Sequence, residues 1–172
     1  MKKSLSILFV IALFTCPSLK GQTDNAKEEA AIKAVAEEET NAFIANNFNR
    51  FAATYVQDET CTRMTASKSG YEFHVGWKEI SPMVKSYFDT ATKRSDVKYV
   101  KTDYRIKIYG ASAWETNKEL VYNNKNEIIA KLLVTRFLEK VKNEWKMVYI
   151  SVINTSSYEE KLVEGKEVPK TK

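Results

Sequence analysis

The chain is predicted to be an α+β domain, three N-terminal helices followed by a four-stranded antiparallel meander. Two changes of period lead there. Apolar residues recur at helical spacing through residues 25–56 and again through 76–91, and from Val97 onward they alternate with polar ones. A third observation concerns the last hairpin, TRFLEKVKNEWKMVYISVI (135–153). It is apolar on both faces, whereas a sheet that is wet on one side should alternate strictly.

The 172 residues suit one domain. The first 22, MKKSLSILFVIALFTCPSLKGQ, read as an export signal: Lys2 and Lys3 precede an apolar run from Leu5 to Phe14, and Pro17 with small or polar residues follows. That run is far short of the ~20 apolar residues a spanning helix needs, so no membrane span is expected and a periplasmic or secreted location is. Cys16, within LFTC, also resembles the acceptor of a lipoprotein signal, although Thr15 before it departs from the small residue usual there; a lipid anchor at Cys16 is the alternative. Cys61 is the other cysteine, so no disulfide framework is expected. Loss of Lys2, Lys3 and Lys20 with the signal takes 27 basic residues to 24 against 22 acidic ones. With so small an excess and no basic stripe, nucleic acid is not an expected partner. The organisation is thus signal 1–22, domain 23–158 and a polar tail 159–172.

The first helix is expected in NAKEEAAIKAVAEEETNAF, with Ala31, Ile32, Val35, Ala42 and Phe43 inward and Glu28, Glu29, Glu37, Glu38 and Glu39 on the wet side. Asn46 and Asn47 break it, and FNRFAATYV forms a short second helix. Gly76 marks the start of a third, whose broad face carries Trp77, Ile80, Val84, Tyr87 and Phe88, with Pro82 in or near its first turns. A short extra strand is weighed at CTRMTAS. The meander then runs from VKYVKTDYRIKIYG through ASAWETNKELVY to the final hairpin, which turns at Lys142 and Asn143. With a two-residue turn there, Val148 lies across from Phe137 on one face. The other face then collects Trp145, Met147 and Tyr149 with Arg136 and Val134. Both faces are too apolar to be wet, so one should meet the helices and the other a second subunit.

In order and spacing, AIKAVAEEETNAF, NNFNRFAATYV, VGWKEI, YGASAW and TRFLEKVKNEWKMVY together resemble the nuclear transport factor 2-like superfamily, in its SnoaL-like and calcium/calmodulin-dependent kinase association-domain branch, over residues 27–158. The resemblance implies a cone-like barrel in which the bent sheet holds the three helices in its concave side, leaves a pocket there and dimerises through its convex side. It also implies that Arg136 enters the pocket, while Leu120 and Val152 stand where companion arginines would be. Arg136 among Val134, Leu138 and Tyr149 has two readings: an internal salt bridge or a bond to Tyr149, or a guanidinium gripping an anionic ligand. Strand parity adds Trp114, Thr116 and Lys118 to the same face. Tyr149, with Tyr55 on the second helix and Trp77 on the third, completes the expected ligand-binding set.

For acid/base chemistry the candidates are His74, which shares a strand face with Glu72, and Tyr55. Parity sets Asp103, Glu115 and Glu119 away from the expected cavity. No Gly-rich phosphate loop, metal-ligand cluster or nucleophile motif is seen, so neither metal nor cofactor is expected. The function expected is an exported, homodimeric pocket protein that binds a small organic molecule, an anion among the options, without catalysis. The alternatives are a SnoaL-like lyase or isomerase and a dimerisation scaffold.

Overall fold

The structure, a computed structural model, describes residues 18–90 and 96–158. The expected signal and tail lie outside these residues, apart from 18–22, which open the first helix. Helix α1 (Ser18–Ile44) ends at Asn46, whose φ of 52° lies in the left-handed region that Asn tolerates. Helix α2 (Phe48–Ala53) starts on Asn47, whose side chain accepts a bond from the Arg50 amide. A hairpin of β1 (Thr62–Ser67) and β2 (Gly70–Val75) follows. Helix α3 (Trp77–Thr90) comes next, with Pro82 in its second turn. The meander is β3 (Lys98–Tyr109), β4 (Ser112–Tyr122), β5 (Ile128–Val141) and β6 (Glu144–Asn154).

The α+β expectation holds, with two strands where one short one was weighed. The six strands form one mixed sheet in the order β2-β1-β6-β5-β4-β3, all neighbours antiparallel except β1 and β6. The sheet curves around the helices without closing, so β2 and β3 remain its edges. Irregularities in the β3–β4, β4–β5 and β5–β6 registers supply bends of the kind bulges produce. In β3 the bend falls at Asp103, whose φ is 56°. The β5–β6 turn is the expected two-residue one: Lys142 and Asn143 both have positive φ, 50° and 69°, which matches the right-handed strand twist.

The core lies between the helices and the concave face. Ile32, Ala42, Phe51, Tyr55, Ile80, Val84 and Phe88 from the helical side meet Val134, Leu138, Trp145, Met147 and Ile150 of the sheet. Phe88 takes edge-on contacts from Phe43, Phe48 and Phe51, which ties all three helices together. Among the described residues no helix is long and apolar enough to cross a membrane.

The final hairpin differs from expectation at one point. Glu139 pairs with Lys146, as a two-residue turn requires, but the register shifts beyond Leu138, so Phe137 faces Tyr149 and Val148 is the extra residue. The bulge turns Tyr149 to the convex face and brings Ile150, 1% exposed, inward beside Arg136.

Candidate functional site

Directly paired residues of a sheet share a face, so the registers can be read across it as rows. One concave row runs His74, Arg63, Ile150, Arg136, Glu115, Ile106. It sets two guanidiniums on either side of an isoleucine, beneath α1. The next row passes through Val152, Val134 and Asn117, and Glu119 pairs with Leu132 beyond it. From the helices come Glu39 and Thr40, and Tyr55 just after α2. Tyr55 is held against β6 by reciprocal bonds, Val56 N–H to the Met147 carbonyl and Met147 N–H to the Thr54 carbonyl.

Arg136, 2% exposed, commits all five N–H groups inside the protein. Nε donates to Glu39 Oε2 at 3.3 Å, and Nη2 to the same oxygen at 3.1 Å and to Glu119 Oε1 at 3.0 Å. Nη1 donates to Glu115 Oε2 at 3.0 Å and Asn117 Oδ1 at 2.9 Å. The other oxygen of Glu39 accepts from the Tyr55 hydroxyl, which in turn accepts from Arg63 Nη1 at 2.9 Å. Arg63 Nη1 also stands 3.7 Å from Glu39. Beside this group, Lys101 is nearly buried and donates to Thr40 Oγ1 at 2.7 Å and Glu37 at 3.3 Å.

The carboxyl groups respond differently to one guanidinium. Burial alone would raise Glu39, but Arg136, Arg63 and the Tyr55 hydroxyl outweigh it and hold Glu39 below the usual carboxylate range. For Glu115 burial prevails over Arg136 and its carboxyl is pushed up; its Oε1 is buried without a hydrogen-bond partner. Burial and the neighbouring Glu39 charge push the Tyr55 phenol well above its ordinary value.

Glu39, Thr40, Arg63, Glu119 and Arg136, with Tyr99, form the polar part of the lining of a cavity of about 110 Å³, whose apolar walls include Phe43, Val134 and Ile150. Leu132 and Val152 are shared with an open groove of about 540 Å³ lined by Thr65, Glu72, Tyr87 and Asn154. The groove beside the β1–β2 hairpin therefore adjoins the cavity across Leu132 and Val152.

Of the expected site residues, Arg136 and Tyr55 do come together, joined through Glu39. Trp77 stacks on Tyr55, with ring centroids 5.6 Å apart, and so buttresses it. Trp114, Thr116, Lys118 and Tyr149 are not brought to the cavity. Glu115, Asn117 and Glu119 face inward, which puts the intervening residues of β4 on the convex side, and the bulge at Val148 takes Tyr149 there too. The parity expected for Glu115 and Glu119 is thus reversed, and Glu39 is buried instead of wet, because Arg136 supplies the charge that lets carboxylates leave water. His74 sits on the edge strand with Nε2 3.9 Å from Glu72, and that nitrogen is buried without a hydrogen-bond partner. Pairing of β4 with β5 through Glu115 and Arg136 was the available signal for the missed carboxylates. Arg63 carried none. Among the described residues no group of His, Cys, Asp and Glu is placed to hold a metal ion.

A curved sheet wrapped on three helices, with a cavity on its concave side, is the fold of nuclear transport factor 2-like structures. The SnoaL-like domain model matches residues 32–154, and the chain belongs to that family. Among solved structures it is similar to a proposed dehydratase from the NTF2-like family of Streptomyces avermitilis, at 10% identity over 76% of this chain and 97% of that one, with a TM-score of 0.64. It is similar to an NTF2-like protein of unknown function from Shewanella oneidensis at 16% identity, covering 73% and 98%, TM-score 0.57. A proposed calcium/calmodulin-dependent protein kinase type II association domain from Thiobacillus denitrificans shares 14% identity over 71% and 93%, TM-score 0.57. At such identities these likenesses speak for the fold alone. No curated protein matches the chain.

Proposed function

We propose that the protein is an exported homodimer that binds a small organic molecule in its concave cavity without transforming it. The observation that carries this reading is a mainly apolar cavity whose polar lining is largely occupied with itself. A general acid or base needs a pKa near the working pH and a free path to the ligand. Tyr55 is closed between Glu39 and Arg63, and Glu39 is held low as a carboxylate. His74 does not line the cavity. Export is supported by Lys2, Lys3 and the apolar run after them. Dimerisation is supported by the convex face, where the row Val75, Thr62, Tyr149, Phe137, Trp114 crosses five strands and exposed Tyr71, Phe73 and Leu133 lie beside it.

The test is to purify the protein from its native host and identify by mass spectrometry any small molecule released on denaturation, then to incubate that molecule with fresh protein. Recovery unchanged supports binding, and conversion would establish the lyase or isomerase alternative. Val152→Phe, which fills the joint between cavity and groove, should release the molecule while the fold survives. Intact mass showing Met1 retained would reject export, and an acylated Cys16 would make the protein a lipoprotein.

A further inference from the structure

Resting on the cavity-binding reading, we propose that Arg63, not Arg136, is the ligand-reading guanidinium, and that it holds an electrically neutral molecule through an acceptor oxygen such as a carbonyl. Arg136 has no donor left. Arg63 lines the same cavity, its side chain is 14% exposed, and among the described residues it makes a single hydrogen bond, from Nη1 to Tyr55. Its Nε is buried without any partner. An under-coordinated guanidinium that is mostly out of water favours an oxygen brought to it, since unmet buried donors are costly.

The charge around the cavity decides which kind of oxygen. Glu39, Glu115 and Glu119 surround Arg136, Glu39 also faces Arg63, and Lys101 is paired with Glu37. With all three acids ionised, carboxylates exceed guanidiniums by one; with Glu115 protonated, two face two. In neither state is there positive charge to spare. Within a space about 6 Å across, a bound anion would lie in direct Coulomb range of the lining carboxylates Glu39 and Glu119, while Arg136 is already screened by its own partners. A neutral acceptor satisfies Arg63 without that repulsion. Shape sets the scale: about 110 Å³ holds roughly four water volumes of ~30 Å³, enough for the head of a ligand whose remainder extends into the groove.

The experiment compares three molecules of similar shape, methyl propyl ketone, butanoate and pentane, by thermal shift and ligand-observed NMR at neutral pH, on wild type, Arg63→Met and Arg63→Lys. The ketone should bind wild type about tenfold or more tightly than either of the others, and Arg63→Met should remove that preference. Arg63→Lys, which keeps a donor but loses the planar fork, should retain part of it. Butanoate binding as well as the ketone would overturn the neutral-ligand assignment. Pentane and ketone binding equally would overturn the role of Arg63 and leave the cavity reading standing. Binding of none of the three, in a protein whose groove also yields no native molecule, would overturn both. Circular dichroism of each variant establishes that it is folded before binding is compared.

Discussion

Because Arg136 serves three carboxylates at once, its loss should act on stability more than on binding. Arg136→Met strands Glu39, Glu115 and Glu119 in the interior, and roughly 3–5 kcal/mol should disappear from the unfolding free energy in a urea titration. Arg136→Lys should also be destabilised, since one ammonium cannot reach the guanidinium's several partners. Two glutamates should then show opposite pH signatures. Glu39 has a folded-state pKa below its unfolded value near 4.3, so the stability it contributes is present above about pH 4.3 and is lost as pH falls through the folded value. Glu115 has a raised folded-state pKa, so its contribution is present below about pH 4.3 and is lost as pH rises through the folded value. Melting temperatures taken from about pH 3 to 7 should therefore show the penalty of Glu39→Gln growing as pH rises towards about 4.3 and levelling off above it, while that of Glu115→Gln shrinks or reverses as pH rises above about 4.3. In the sequence Arg136 was conspicuous as a charge among apolar neighbours, and the internal-pair reading already accommodated it. Glu39 was not, because it ends a run of three glutamates that looks wholly solvated; only α1's placement over the sheet singles it out.

At the scale of elements, the final hairpin was legible down to its turn, because Lys142 and Asn143 sit between two strongly apolar strands. The bulge at Val148 was not legible, since nothing local marks which of several apolar residues is left unpaired, and one extra residue reverses the face of everything beyond it. The β1–β2 hairpin was half seen: GYEFHV alternates Tyr71, Phe73 and Val75 with Glu72 and His74, but those apolar residues stay exposed, so nothing ties the segment to the core as a strand. The turn offers a prediction of its own. Lysine is strained at the positive φ of position 142, whereas asparagine tolerates it, so Lys142→Asn should stabilise the protein by about 0.5–1 kcal/mol, read as a rise in urea midpoint at unchanged slope.

For the molecule as a whole, the proposed dimer makes a demand on the convex face. Phe137, 48% exposed and in edge-on contact with Tyr149, stands in the middle of this largely apolar row. Phe137→Asp should give monomers by sedimentation velocity at micromolar concentration while helix and strand content is kept; an already monomeric wild type would reject the dimer. The inward-facing Ile150 would be the wrong place for such a substitution, since a charge there enters the core. Finally, the parallel pairing of β1 with β6 joins segments separated by more than half the domain, whereas β4, β5 and β6 pair with near neighbours. Closing that long loop comes at a late stage of folding, and the same junction should be the first to reopen in the native state. Arg63 rides on β1. Amide hydrogen exchange in β1 and β2 should accordingly run ahead of that in β4 and β5, and the rate at which a molecule enters the cavity would follow this breathing rather than diffusion.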